Sequence, residues 1–265
     1  MKQRWAAHGF YPHFGLGDHE VGDVGSAGRV DPDTQRYRAL PAWRRTWARH
    51  FTDGGTRYGV HPAAGQHRTT AYAARLGDVG LVTLDPIDRT PKGTRARVTR
   101  RQLRWLRSAV RDLRARGARW VIVQCEIPAL GPNRRFRSSG LTLDGGDRLW
   151  QVLDALDVDL LLSGEVHHMT ARSHNGRTPV QVVHGGLLPQ AAVNYLVITT
   201  FRDRVELQLK RMTGRVDTKR EIWAPSLHRA REPVTISPRA KRVGRMTIHA
   251  DGSLSNRSGF LREGI

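Results

Sequence analysis

The sequence predicts the α/β class, and three observations carry that expectation. Residues 99–116 read as an amphipathic helix that runs through a short loop into the apolar stretch 120–123, half of a crossover unit. A second helical pattern at 147–156 feeds a second apolar run at 159–162, which is too short for a membrane span. Apolar stretches at 120–123, 159–162 and 179–183 then end in Glu126, in Glu165 with His167, and in His184. Parallel strands would set those ends along one edge of a sheet, where open α/β folds collect their ligands.

A chain of 265 residues suits one large domain, or one with an appendage. Only 38% of it is hydrophobic, but the apolar residues fall in periodic blocks, so a core is expected and wholesale disorder is not. The single cysteine, Cys125, excludes an intrachain disulfide and any cysteine-based zinc site within one chain. Residues 1–8 hold no apolar run suited to a signal peptide, and no segment is long and apolar enough to span a bilayer. Cytoplasmic location is the default expectation, with an export signal upstream of these residues left open. Lys and Arg total 44 against 24 Asp and Glu, a net charge of +20. Nearly all of that positive charge is arginine. It reads either as a nucleic-acid surface or as the codon bias of a GC-rich genome. The arginines spread from Arg4 to Arg262 and are not interleaved with aromatics, which favours the second origin. Phosphate-bearing ligands are attracted in either case.

In chain order, residues 1–16 give no clear helix. Gly17-Asp18-His19-Glu20-Val21-Gly22-Asp23 sets three ionisable side chains between glycines, as a tight presenting loop would, or as a solvated turn would. A helix is predicted over 31–50, with Trp43 and Trp47 as core at i,i+4 spacing. Residues 69–75 and 79–84 form a hairpin around Gly77-Asp78. Asp85 follows, and a loop with Pro86, Pro91 and Gly93 leads to the helix 99–116. Thr99 and Gln102 have capping-box spacing, Leu103, Leu106, Val110 and Leu113 form one stripe, and Gly117 is the C-terminal cap. Cys125 reads as a small buried group. The long loop 129–146 carries Arg137 beside Ser138 and Ser139, a substrate-binding candidate for an anion, with a solvated basic loop as the alternative. His184 is the second substrate-binding candidate. In the helix 147–156, Leu149, Trp150, Leu153 and Leu156 face inward. Residues 195–201 and 205–209 form another hairpin. A Pro- and Arg-rich linker is predicted over 223–242, then a small terminal hairpin around Asp251-Gly252. The chain thus divides into 1–222 and a small C-terminal β appendage, 223–265.

The order of these parts resembles the calcineurin-like metallophosphoesterases, the superfamily that includes the purple acid phosphatases. The resemblance rests on Gly17-Asp18-His19-Glu20, the hairpin ending in Leu84-Asp85, Gln102-Leu103 with Trp105-Leu106, Glu126-Ile127-Pro128, and Gly164-Glu165-Val166-His167. It covers residues 17–209 in order. It implies an α/β/β/α sandwich of two mixed sheets, with two metals at the carboxyl edge bridged by an aspartate and a hydroxide that attacks phosphorus. By position, Asp18, Glu126 and Glu165 would be ligands of the second metal and His167 of the first. His19 would contact the phosphoryl oxygens or protonate the leaving group, oriented by Glu20.

Two departures from the family pattern follow. The family's Asn, His and His at the second metal have become Asp18, Glu126 and Glu165. An all-oxygen set suits a hard ion such as Mg²⁺, Mn²⁺ or Ca²⁺ better than Zn²⁺. Divalent Mn, Mg or Fe is therefore expected ahead of Zn. The family's opening Asp-x-His and Gly-Asp-x-x-Asp motifs are also missing, so the chain is expected to be the carboxyl-terminal part of such an enzyme, its first metal left with His167. The expected function is metal-dependent hydrolysis of a phosphate mono- or diester, by this chain or once the missing motifs are supplied. The alternatives are a non-catalytic basic nucleic-acid-binding module and a degenerate phosphoesterase remnant.

Overall fold

The computed structural model describes residues 7–9, 11–17, 29–53, 56–57, 59–131, 141–166, 169–184, 187–188, 192–216, 234–236 and 239–262. The elements run β1 (Arg29–Val30), α1 (Gln35–Ala48), β2 (Thr52–Asp53), β3 (Thr56–Arg57), β4 (Tyr72–Leu76), β5 (Val79–Thr83), β6 (Ile87–Thr90) and β7 (Gly93–Ala96). They continue with α2 (Arg100–Ala115), β8 (Trp120–Gln124), α3 (Gly146–Asp154), β9 (Leu160–Ser163), β10 (Met169–His174), β11 (Arg177–His184) and β12 (Leu187–Leu188). The rest is β13 (Ala192–Thr200), β14 (Arg204–Val216), β15 (Val234–Ile236), β16 (Lys241–His249) and β17 (Leu254–Gly259). This is a mixed α/β fold with several sheets and few helices. No described helix is long and apolar enough to cross a membrane.

The first large sheet has the order β10-β11-β9-β8-β5-β4. Its β5–β8, β8–β9 and β9–β11 pairs are parallel, and its two outer pairs are antiparallel. The second runs β12-β13-β14-β16-β17, with β15 also on β14. Period-2 alternation buries both faces of the first sheet. Val82, Val121, Val123 and Leu161 pack with Leu103, Leu106, Val110 and Leu113 of α2 and Leu149 and Leu153 of α3. Leu81, Trp120, Ile122, Leu160 and Val182 share the other core with Val205, Leu207, Leu209, Met246 and Ile248 of the second sheet.

Several local expectations are refined. The 31–50 helix forms as Gln35–Ala48, capped by Thr34, whose hydroxyl accepts from the Tyr37 amide at 3.2 Å. Its most buried residues are Tyr37, Leu40 and Arg44, while Trp43 and Trp47 are half-buried. The tryptophans are displaced from the centre of that face by a buried charge. Pro41 lies inside this helix and leaves the Tyr37 carbonyl without its helical donor. Arg89 Nε supplies one at 3.2 Å and stacks its guanidinium 3.9 Å from the Tyr37 ring centroid. The loop expected over 86–98 instead holds the β6–β7 hairpin, whose turn ends at Gly93 with φ 110°. Both prolines flank strands rather than interrupt them. Thr99 caps α2 as expected, accepting from the Gln102 amide. The Gln102 side chain does not close the box: it bonds both backbone groups of Asp85, at 2.9 Å each. The terminal hairpin forms, and β16 pairs along β14 from Arg204↔His249 onward. Residues on both sides of the 222/223 boundary therefore share one sheet. Within the expected linker, residues 234–236 are strand and 241–242 already belong to β16.

Candidate functional site

The parallel strands bring Thr83, Gln124, Ser163 and His184 to one edge of the first sheet, and antiparallel β4 brings its first residue, Tyr72, to the same edge. Two chain turns beyond that edge carry the expected carboxylates. After β8 the chain passes through buried Cys125 to Glu126, and after β9 through Gly164 to Glu165. The two turns are tied directly. The Glu126 carbonyl accepts from the amides of Gly164 at 3.0 Å and Glu165 at 3.1 Å. Both Glu126 carboxylate oxygens lie 2.8 Å from the position a Cβ on Gly164 would take. Glu165 is buried, at 7% exposure, and Glu126 is half-buried.

The segment 11–17 crosses above this edge. Tyr72 Oη donates to the Phe14 carbonyl at 2.8 Å, and Gln124 Nε2 donates to Thr83 Oγ1 at 2.6 Å and to the His13 carbonyl at 3.4 Å. Leu16 is 1% exposed and belongs to the helix-side core. The described chain thus reaches Gly17, the residue before Asp18, pinned to the sheet edge. The rings of His13 and His61 stand 6.3 and 6.0 Å from that of Tyr72.

Of the expected site residues, Glu126, Glu165 and His184 are described and lie on this edge. Asp18, His19, Glu20, Arg137 and His167 lie outside the described residues. Among the described residues, no three His, Cys, Asp or Glu side chains form a group able to hold a metal ion. Burial lowers the His184 pKa, so its imidazole is neutral near neutral pH, and its Nδ1 is buried without a hydrogen-bond partner among the described residues. Desolvation, then the charge of Glu126, pushes the Cys125 thiol far up, so this cysteine packs and does not react.

Sequence reading missed two arrangements that frame the edge. Asp85, 0% exposed, accepts from Arg44 Nε at 2.9 Å and Nη2 at 3.1 Å, with His67 Nδ1 at 3.3 Å. Burial pushes its pKa up, but Arg44 and then His67 outweigh that and hold the carboxyl well below the usual range. Gln181, 1% exposed, accepts from the Ala129 and Leu130 amides at 2.9 Å each and donates to the Leu130 carbonyl at 2.8 Å. It ties β11 to the chain beyond Glu126. Asp85 closing an apolar strand was one available signal. Gln181 inside an apolar run gave a second, since a buried amide needs partners.

No family model matches the chain, and no curated protein matches it. Among solved structures it is similar to a purple acid phosphatase from yellow lupin (Lupinus luteus) seeds, at 14% identity and a TM-score of 0.39. The match covers 56% of this chain and 31% of that one, so the chain spans less than a third of that structure.

Proposed function

We propose that the chain carries the carboxyl-edge part of a calcineurin-like, divalent-metal-dependent phosphoesterase that hydrolyses a phosphate mono- or diester. The observation that supports this reading is the juxtaposition of Glu126 and Glu165. Two parallel strands, joined by a helix, deliver them to one edge through turns that hydrogen-bond each other. A second sheet that shares a core with the far face of the first also supports this reading.

In this reading Glu126, Glu165 and Asp18 hold one ion through oxygen, and His167 belongs to a second. The donor chemistry fits Mn, Mg or Fe ahead of Zn. Bound there, such ions would activate water near neutral pH and offset charge on the phosphoryl oxygens. His19, oriented by Glu20, contacts the phosphoryl group or protonates the leaving oxygen. His184, kept neutral by burial, and Arg137 bind the substrate's anionic oxygens.

The test is titration calorimetry of Mn²⁺ into the full chain and into the Glu126→Gln/Glu165→Gln double variant, with 4-nitrophenyl phosphate and its bis-ester assayed in parallel. Both substitutions keep shape and remove charge. Mn²⁺ affinity should fall at least about tenfold, roughly 1.4 kcal/mol, and metal-dependent hydrolysis should fall with it. Unchanged Mn²⁺ binding in the double variant would refute the carboxylate assignment.

A further inference from the structure

A second concave site, of about 580 Å³, is built from other parts of the chain. Arg44 and Arg45 of α1, His67 and Arg68 of the loop before β4, Arg89 of β6 and Arg101 in the first turn of α2 all line it. No Asp or Glu is among its lining residues, and neither Glu126, Glu165 nor His184 reaches it. Two of the arginines are already engaged. Arg44 holds Asp85, the Ile87 carbonyl and Gln66, and Arg89 holds the Tyr37 carbonyl and ring. Arg45, Arg68 and Arg101 are exposed, and none has an ion-pair partner among the described residues.

His67 forms part of the buried wall of this site. It is 5% exposed and turns Nδ1 toward Asp85 at 3.3 Å. Its other nitrogen, Nε2, is buried without a hydrogen-bond partner among the described residues. Arg101 is partly held in place as well. It lies against Gly65, where an added Cβ would stand 3.4 to 3.7 Å from its Cδ, Nε and Cζ, and Gly65 has φ +102°.

We infer that this cavity is an anion site for a small molecule carrying at least two phosphate groups, separate from the carboxylate edge and independent of the metal reading. Guanidinium forks match the oxygens of tetrahedral oxyanions, and here three face one space from three different elements. The volume lies within the roughly 300–1,000 Å³ of small-molecule sites, more than one phosphate fills.

The experiment titrates pyrophosphate, then orthophosphate, into the full chain in buffer stripped of divalent metal on a chelating resin. One saturable pyrophosphate site is expected, with orthophosphate at least tenfold weaker. Arg68→Glu/Arg101→Glu should weaken pyrophosphate at least tenfold. Arg111→Glu/Arg245→Glu, an equal charge change at exposed positions outside the cavity, should change it less than twofold. Should the cavity double variant melt early, Arg45→Glu alone carries the same comparison. Glu126→Gln/Glu165→Gln should leave binding intact, so failure of the phosphoesterase reading stays distinguishable. Absent saturation, or equal loss in both arginine pairs, overturns the assignment in favour of diffuse charge. Cavity-dependent binding of a single-stranded oligonucleotide without pyrophosphate binding overturns it in favour of a polynucleotide.

Discussion

Gly164 decides where the Glu126 carboxylate can sit. Its φ is not positive, so backbone freedom is not its role. What matters is room: a Cβ there would lie 2.8 Å from both carboxylate oxygens of Glu126 and 3.1 Å from the carbon between them. Those atoms end a flexible side chain, so the chain can yield at little cost in folding, but only by moving the carboxylate. Gly164→Ala should therefore change unfolding free energy by less than about 1 kcal/mol while weakening Mn²⁺ binding about tenfold or more. Denaturant melts and calorimetry on the same sample separate the two. Equal loss in both would mean that Gly164 serves packing and not the position of Glu126.

At the scale of elements, Gln181 shows how a strand holds a loop. Its amide satisfies two backbone N–H groups and one carbonyl of residues 129–130, all buried. Gln181→Leu keeps the volume and strands all three. Each unsatisfied buried group costs about 1–3 kcal/mol, so a loss of roughly 3 kcal/mol or more is expected in urea unfolding. Gln181→Glu retains the acceptor and should cost less. A Leu variant within about 0.5 kcal/mol of the parent would show that the loop re-pairs with water. The same contrast explains what the sequence disclosed. α2 was legible because its cap, stripe and closing glycine are local, and the Glu126 and Glu165 turns because each closes an apolar run. The β6–β7 hairpin was not, because Pro86 and Pro91 look like breakers when their strand partners are unseen. Arg44 was not, because the carboxylate that draws it inside lies 41 residues on. The pinning of segment 11–17 joins Gln124 to His13 across 111 residues and leaves no mark in either neighbourhood.

For the whole molecule, the edge opposite the site sets how stability responds to pH. Asp159, just before β9, accepts from the Val121 amide at 2.7 Å and from Arg114 at 3.2 Å, joining the entry to β9 to β8 and α2. Burial pushes its pKa up to about 6, and the Val121 amide and Arg114 only partly offset that. The folded chain therefore binds a proton that the unfolded chain, at the ordinary 3.8, has released. A raised carboxyl pKa makes the ionised group a burden on folding. The full cost is present above pH 6 and is relieved as pH falls from about 6 toward 4. Asp85 acts in the opposite sense at a different pH. Its lowered pKa stabilises the fold above the ordinary carboxylate range, and that stability is lost only in stronger acid. The window between the two belongs to Asp159, and a comparison with Asp159→Asn cancels the repulsion common to both chains at a net charge of +20. One pKa unit is about 1.4 kcal/mol, so between pH 7 and pH 4.5 the parent should gain about 2 kcal/mol on the variant. Urea midpoints at the two pH values measure it. A difference that stays flat would mean that the two hydrogen bonds keep Asp159 ionised throughout and that its burial costs the fold nothing that a proton can restore.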